Sequence, residues 1–153
     1  MKKNRRPKIL AISSGGGHWV QLLRLRPAFA GAEVTYATVH RDASDDVANA
    51  RFFVFPDANR DRKFALILQI LKITWIIARV RPDVVITTGA SCGYVAVRLA
   101  RFLGSRTLFM DSIANAEKMS LSAQLAQRHA NMLLTQWPHL DDPNGPRYHG
   151  SVI

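Results

Sequence analysis

Short apolar runs alternate with helix-like segments along almost the whole chain, and this alternation limits the possible folds. The apolar runs predict strands at residues 8–13, 33–38, 52–55, 83–87, 106–110 and 132–136. Helical patterns occupy residues 18–29, 63–81, 91–103 and 120–130. Strands that are joined through helices run parallel, with right-handed crossovers. The sequence therefore predicts an α/β fold, with a single Rossmann-like, doubly wound parallel sheet over residues 1–153.

The size and charge of the chain limit its partners and its compartment. The 153 residues are enough for one domain, with a basic arm at residues 1–7 and a Pro/Gly-rich tail at residues 138–153. The net charge of +10 indicates a polyanionic neighbour, either nucleic acid, an anionic membrane or a phosphorylated substrate. The lone Cys92 excludes an intrachain disulfide, and the apolar run after the basic arm is too short for a signal peptide. We therefore expect a reducing, cytoplasmic location.

A glycine-rich turn follows the first predicted strand. It contains Ser14, Gly15, Gly16 and Gly17, and His18 opens the next helix. Glycines let the backbone amides approach a ligand, and the positive end of the following helix attracts phosphate. His18 is one of few side chains that can move a proton near neutral pH. The turn is therefore predicted to be a phosphate site with a candidate general base.

Other interpretations of this turn remain open. A dinucleotide fingerprint needs a third glycine where the chain has Val20, and the expected ribose-binding acid is poorly placed. Arg41 after the second strand keeps an NADP-binding alternative open. The turn lacks the lysine of an ATPase phosphate loop. A purely structural tight turn is also possible.

A second polar turn follows the fourth predicted strand and opens a helix. Its amides and hydroxyls are candidates to hold the same anion, at Thr88, Gly89, Ser91 and Gly93. Alternatively, the glycines only allow the helix to pack closely on the sheet. Cys92 near the helix start suits a nucleophile, but without a neighbouring base the expectation is an inert, buried thiol.

Asp111 ends the next strand, followed by Ser112. Its carboxylate can orient a sugar hydroxyl, assist His18 or cap a local turn. If the three strands are parallel neighbours, the loops at residues 13–18, 88–93 and 111–118 meet in one crevice. The five histidines and one cysteine show no metal-ligand spacing, so neither a metal ion nor a cofactor is expected.

Residues 64–78 form the most hydrophobic segment. It is too short, and with Gln69 and Lys72 too polar, to span a bilayer. Its apolar circumference exceeds what one sheet covers, and basic residues at positions 60, 62, 63, 79 and 81 flank it. This pattern is typical of a helix lying in a membrane interface, although a buried core helix is the alternative. The predicted membrane contacts are Leu68, Leu71, Lys72, Trp75 and Arg79.

Several motifs in order resemble a known family. The stretch at residues 13–23 resembles the start of the acceptor-side, membrane-associated subunit of the two-subunit N-acetylglucosaminyltransferase of lipid-linked oligosaccharide synthesis. It is equally similar to that subunit's bacterial relatives in exopolysaccharide and capsule assembly. Residues 81–85, 88–89, 110–112 and 135–138 continue the resemblance, which covers nearly the whole chain. More distantly, the chain is similar to the N-terminal half of MurG-type transferases.

The resemblance implies one half, of the N-terminal type, of a GT-B glycosyltransferase at the cytoplasmic face of the membrane. A separate UDP-sugar-binding C-terminal half would complete the enzyme, which transfers N-acetylglucosamine or a related hexose to a polyprenyl-diphosphate-linked saccharide. Residues 15–17 would then hold the acceptor's pyrophosphate, with His18 as base. Relatives often carry glutamate at the position of Asp111. The spanning helix of eukaryotic relatives is missing, so the basic arm and residues 64–78 would anchor the chain.

Two other classes of function remain. The chain can be a non-catalytic scaffold that docks a partner transferase to the membrane. Nucleic-acid binding is prompted by the charge, but the sequence lacks the interleaved aromatic and basic residues of RNA-binding modules. We therefore expect no nucleic-acid partner.

Overall fold

A computed structural model describes residues 4–59 and 61–153. The first three residues of the basic arm and Arg60 lie outside the described residues. Across the described residues the chain forms one sheet of seven strands. The strands are β1 (Lys8–Ile12), β2 (Glu33–Thr38), β3 (Arg51–Val54), β4 (Val84–Thr87), β5 (Arg106–Met110), β6 (Met132–Thr135) and β7 (Arg147–Tyr148).

The sheet is parallel at every pairing among the described residues, in the order β3-β2-β1-β4-β5-β6-β7. The central strand β1 pairs with β2 on one side and with β4 on the other. The order reverses between β1 and β4, which is the switch point where ligands bind in doubly wound sheets. The predicted fold class is confirmed.

Four α-helices lie on the two faces of the sheet, within the described residues. They are α1 (Gly17–Arg24), α2 (Lys63–Val80), α3 (Ala90–Phe102) and α4 (Leu121–Ala126). Short 3₁₀ helices at Arg26–Phe29, Arg41–Val47 and Pro138–Leu140 follow α1, β2 and β6. The first helix is shorter than predicted because Pro27 cannot continue it, and a 3₁₀ turn takes over.

Alternate residues of β1 supply the two cores. Ile9 and Ala11 pack with Trp19 and Leu22 of α1 on one face. On the other face, Leu10 and Ile12 pack with Ile73 and Ile76 of α2, Ala96 of α3 and Val85 of the neighbouring strand β4. A third cluster joins α4 to α3 and β5 through Ala123, Val97 and Phe109. The helices are thus fixed on the two faces of the sheet.

The two ends of the chain return to the sheet. The tail contributes the two-residue strand β7, which pairs with β6 beyond the last predicted strand. At the amino-terminal edge of the sheet, Arg5 contacts Asp83 at 2.6 Å and the Lys8 amide donates to the same carboxylate at 2.8 Å. The hydrogen bond from the Lys8 amide lowers the pKa of Asp83 below its ordinary value, and the Arg5 guanidinium lowers it further. One charge of the basic arm is therefore paired at the edge opposite the glycine turn.

Candidate functional site

The loops that follow β1, β4 and β5 leave the sheet side by side. The three strands are adjacent and parallel, so their carboxyl ends lie at one edge. The loops after β1 and β4 are joined by direct hydrogen bonds between His18 and Thr88, and the loop after β5 is hydrogen-bonded to Gln21 of α1. That the three loops share one crevice stays a prediction. The candidate site lies at this edge.

His18 joins the first two loops. Its Nδ1 lies 2.9 Å from the carbonyl oxygen of Thr88, and the Thr88 hydroxyl donates to the carbonyl oxygen of His18 at 2.6 Å. A carbonyl oxygen only accepts, so Nδ1 of the neutral ring carries the proton and donates it. Nε2 is then left with a free lone pair. This is the tautomer that a general base needs.

Gly89 allows the His18 ring to lie against the second loop. Its φ is +125°, and a Cβ at this position would lie 2.9 Å from His18 Nδ1. Ala90 follows with a φ of +65°, a left-handed conformation that is unfavourable for alanine. The chain therefore maintains a strained turn beside His18.

The helices that start at the two loops both lack side-chain caps. Gly16 precedes α1 and Gly89 precedes α3, and neither helix has an acidic residue in its first turn. Unpaired amides at a helix start, together with the helix dipole, favour an anion. Gly16 and Gly17 are exposed, with open space where a Cβ would stand, and Ser14 is half-buried. These features fit a phosphate site.

Other predicted residues have mainly structural roles. Thr88 is fully buried, and both its hydroxyl and its carbonyl contact His18, so it positions the histidine instead of contacting pyrophosphate. A Cβ on the buried Gly93 would lie 2.5 Å from Thr87 Oγ1, which indicates close packing of α3 on the sheet. Burial raises the pKa of the Cys92 thiol to about 12, consistent with an inert cysteine. Ser91 is half-buried in the first turn of α3.

Asp111 is a loop-forming residue in this geometry. Its side chain is 2% exposed. One carboxylate oxygen accepts from Asn115 Nδ2 at 3.0 Å and the other accepts from the Ser120 amide at 2.7 Å. Among the three roles expected for Asp111, this arrangement favours the local turn, because both oxygens are engaged.

A buried polar network, which the sequence analysis missed, links α1 to the third loop. Gln21 Oε1 accepts from the Ile113 amide and from Gln136 Nε2, and Gln21 Nε2 donates to Ser112 Oγ. Gln136 Nε2 also donates to the carbonyl oxygen of Asp111. The residues are up to 115 positions apart, so no local pattern indicates the network. It fixes the helix that carries His18 relative to the loop after β5.

An acidic cleft of about 530 Å³ lies on the β2 side of the glycine turn. Gly15 and Gly16 line it together with Asp42, Asp45 and Asp46. The carboxylates oppose a 2′-phosphate there, which disfavours the NADP alternative. Among residues 4–59 and 61–153, no three His, Cys, Asp or Glu side chains are grouped to hold a metal ion. The signal for this cleft in the sequence is the acid-rich run after β2, with Asp42, Asp45 and Asp46.

Thr38 and His40 form the inner wall of the acidic cleft. Thr38 is fully buried, and within the described residues its hydroxyl oxygen has no hydrogen-bond partner. The His40 ring packs on Gly15 and occupies the space that a Cβ would need there. The wall is thus close to the glycine turn and contains an unused hydroxyl.

Helix α2 exposes an apolar surface that the other described residues do not cover. Phe64, Ile67, Leu68, Leu71 and Trp75 are 42–74% exposed, and we call these five residues the α2 apolar face. The opposite side of α2 is buried on the sheet. The alternative of a fully buried core helix is therefore wrong for this chain by itself.

Polar residues of α2 occupy different environments. Gln69, one of the polar residues that exclude a spanning helix, is 1% exposed and donates to the carbonyl oxygen of Pro56 at 3.0 Å. The Lys72 ammonium lies 4.4 Å from the centre of the Trp75 ring, and Arg79 is exposed. In the described part of the chain, no helix combines the length and hydrophobicity needed to cross a bilayer.

The fold is a Rossmann-like half of the kind found in GT-B glycosyltransferases. A family described as "Oligosaccharide biosynthesis protein Alg14 like" matches residues 61–152. The chain belongs to this family, which confirms the resemblance seen in its motifs. Family and fold together indicate a glycosyltransferase-associated subunit of oligosaccharide biosynthesis. No curated protein sequence matches the chain.

Solved structures share this fold at low sequence identity. Acinetobacter baumannii MurG superimposes with a TM-score of 0.76 and 15% identity, over 96% of this chain and 46% of MurG. The UDP-N-acetylglucosamine 2-epimerase of Rickettsia bellii gives 0.74 and 12%, over 97% of this chain and 46% of the epimerase. The Neisseria meningitidis epimerase bound to UDP-GlcNAc superimposes with a TM-score of 0.60 and 13% identity, over 84% of this chain and 40% of the epimerase. The chain thus spans less than half of each of these proteins.

Proposed function

We propose that the chain is the acceptor-binding, membrane-recruiting subunit of a glycosyltransferase. In this proposal the complex transfers N-acetylglucosamine or a related hexose from a UDP-sugar to a polyprenyl-diphosphate-linked saccharide. The observation that carries the proposal is the contact of His18 with Thr88, which joins two uncapped helix starts around a histidine with a free Nε2. A separate C-terminal-type half binds the UDP-sugar and faces this edge.

The acceptor's diphosphate fits the exposed turn at Gly16 and Gly17 together with the half-buried start of α3 at Ser91. The backbone amides there stabilise negative charge without needing a buried, unpaired cation. Ser14 and Ser91 are half-buried beside them and supply hydroxyls. Gly16 also borders the acidic cleft, whose carboxylates repel phosphate and accept hydrogen bonds from hydroxyls. In this proposal the diphosphate therefore lies toward Gly17 and α3, and the acceptor sugar lies on the cleft side.

His18 acts as the general base toward the attacking sugar hydroxyl. A sugar hydroxyl is a poor nucleophile, and a positioned base contributes about 10²–10⁴-fold to the rate. The Nδ1 contact with Thr88 orients the ring and stabilises the imidazolium that forms when Nε2 takes the proton. Asp111 supports this reaction indirectly by holding the loop after β5.

Glycosyl transfer by the complex with its UDP-sugar-binding partner tests this function. The assay measures transfer from UDP-N-acetylglucosamine to a polyprenyl-diphosphate sugar for the wild type, for His18→Ala and for the exposed control His149→Ala. We expect kcat to fall by about 10²–10⁴-fold in His18→Ala, with little change in the acceptor KM, and to stay unchanged in His149→Ala. The chain without its partner should be inactive.

A non-catalytic scaffold is the competing function. It is favoured if His18→Ala keeps full activity in the complex while the complex still requires this chain. The proposal also fails if the partner is equally active without this chain.

Membrane recruitment is the second part of the proposal. The α2 apolar face is exposed and bordered by exposed basic residues at positions 62, 63, 79 and 81. Apolar contact combined with attraction to anionic lipid is the usual basis for a helix lying in the interface. The predicted contacts are Leu68, Leu71, Lys72, Trp75 and Arg79, at the cytoplasmic surface.

A further inference from the structure

A narrow apolar cleft lies between α2, α3 and α4, separate from the α2 apolar face. Its volume is about 400 Å³, and its walls are Leu66 and Ile70 of α2, Val95 and Leu99 of α3, and Leu125 of α4. A cavity of this size falls within the range of small-molecule sites. The function proposed above uses none of these residues.

The cleft begins at the candidate phosphate site. Ser91, in the first turn of α3, lines the cleft and is two residues from Gly89, which lies against His18. From Ser91 the cleft follows α3 for two turns to Leu99, or about 12 Å along the helix. A molecule with an anionic head at the α1 and α3 starts therefore reaches the cleft directly with its other end.

The chemistry of the cleft fits one hydrocarbon chain. Its walls are mainly aliphatic, and Arg98 lies at its rim with an exposed guanidinium that donates to the Tyr94 hydroxyl at 3.2 Å. The arginine stem adds to the apolar wall while its charge stays in water, where it attracts an anionic ligand. A groove enclosed by three helices suits a single chain, whereas the flat α2 apolar face suits a bilayer surface.

We infer that this cleft holds the first isoprenoid units of the lipid-diphosphate acceptor. The inference rests on the proposed function, because a diphosphate bound at the starts of α1 and α3 places the acceptor's hydrocarbon at Ser91. The hydrocarbon of the acceptor then leaves the cleft beside the α2 apolar face and continues into the membrane. Recognition of the acceptor thus includes its hydrocarbon as well as its diphosphate and sugar.

Binding of short probes to the full chain tests the cleft. The probes are farnesyl diphosphate, inorganic diphosphate and farnesol, used below the concentration at which they form micelles. We expect farnesyl diphosphate to bind at least about tenfold more tightly than inorganic diphosphate, because burying two methylene-sized groups already gives this factor. The variant Leu125→Asp should remove this difference and leave inorganic diphosphate binding unchanged.

Leu121 provides the matched control. It lies on the same helix and is 48% exposed, against 43% for Leu125, but it does not line the cleft. Leu121→Asp should bind all three probes as the wild type does. Leu125→Ala, which adds no charge, should give a smaller loss, and thermal melting verifies that each variant is folded.

The outcomes separate the cleft from the proposed function. If the wild type binds both diphosphates equally and does not bind farnesol, the cleft inference is wrong while the phosphate site stands. If farnesol binds in a Leu125-dependent way but neither diphosphate binds, the cleft stands and the proposed phosphate site fails. If Leu125→Asp leaves probe binding intact but prevents association with the partner subunit, the cleft is a protein interface and the inference is overturned.

Discussion

At the scale of single residues, Gly89 meets two requirements at once. Its φ of +125° disfavours any side chain, and the space beside its Cα is taken by the His18 ring. Gly104 has a similar φ of +90° but nothing within 4 Å of a Cβ. A comparison of substitutions at Gly89 and Gly104 therefore distinguishes the effect of backbone strain from the effect of contact with His18.

We predict that Gly89→Ala and Gly104→Ala both lose stability, by about 1–2 kcal/mol, from the unfavourable φ. Only Gly89→Ala should also displace His18 and reduce transfer by the complex, on the order of 10²-fold. Urea denaturation measures the first effect and the transfer assay measures the second. Equal activity of the two variants would show that the position of His18 does not matter.

Cys92 gives a second prediction at this scale. Burial raises its thiol pKa to about 12, so hardly any thiolate is present at pH 8. A colorimetric thiol reagent should react very slowly with the folded chain at pH 8, and with one thiol per chain in urea. Rapid reaction of the folded chain would contradict the buried location.

At the scale of elements, the Gln21–Gln136 network connects α1 with the loop after β5 and the end of β6. Gln136 Oε1 additionally accepts from the Val152 amide, which brings the tail into the same network. A buried amide without a hydrogen-bond partner destabilises the fold by more than a satisfied hydrogen bond stabilises it. The network therefore stabilises the fold only when it is complete.

We predict that Gln21→Leu lowers the free energy of unfolding by about 1–3 kcal/mol, because it leaves Gln136 Nε2 and the Ile113 amide without their shared acceptor. The double variant with Gln136→Leu should lose less than the sum of the single variants. Gln124→Leu, at an exposed position of α4, is the control and should change stability by under about 0.5 kcal/mol. Strict additivity in urea denaturation would show that the two glutamines do not interact.

At the scale of the whole molecule, three surfaces have separate positions. The candidate site occupies the carboxyl edge of the sheet, and the Arg5–Asp83 pair occupies the opposite edge. The α2 apolar face lies along the flank between them. A membrane contacted through this flank leaves the carboxyl edge free for a second subunit.

We predict that the chain floats with vesicles of phosphatidylcholine and phosphatidylglycerol, and less with phosphatidylcholine alone. The variant Leu71→Asp/Trp75→Asp should lose this binding. The control Phe102→Asp/Leu103→Asp changes residues with comparable exposure, 88% and 48% against 61% and 48%, at the end of α3. If the control loses binding equally, or if anionic lipid has no effect, membrane contact through α2 is wrong.

The sequence was sufficient for the sheet, its direction and the approach of the first two loops, because these depend on local apolar runs and on the handedness of crossovers. Strand and helix limits differed by about one residue in most elements. The exceptions are α1, which Pro27 ends early, α4, which ends at Ala126 instead of residue 130, and β7, which has only two residues and forms only through pairing with β6.

Individual roles in the site were less predictable. Thr88, Gly93 and Asp111 all lie in the predicted loops, yet their burial and hydrogen bonds turn them toward the protein. Whether a polar side chain faces a ligand or its own loop depends on contacts between residues far apart in sequence. The Gln21–Gln136 network is the clearest case, since no local pattern indicates that these amides meet.

The contact of His18 with Thr88 also has a kinetic consequence. It joins residues 70 positions apart, across the pairing of β1 with β4. Closing so long a loop is entropically costly, and such contacts form late when a chain refolds. During refolding, diphosphate binding should therefore recover later than the helical circular dichroism signal. The time at which binding recovers then reports when β1 and β4 have paired.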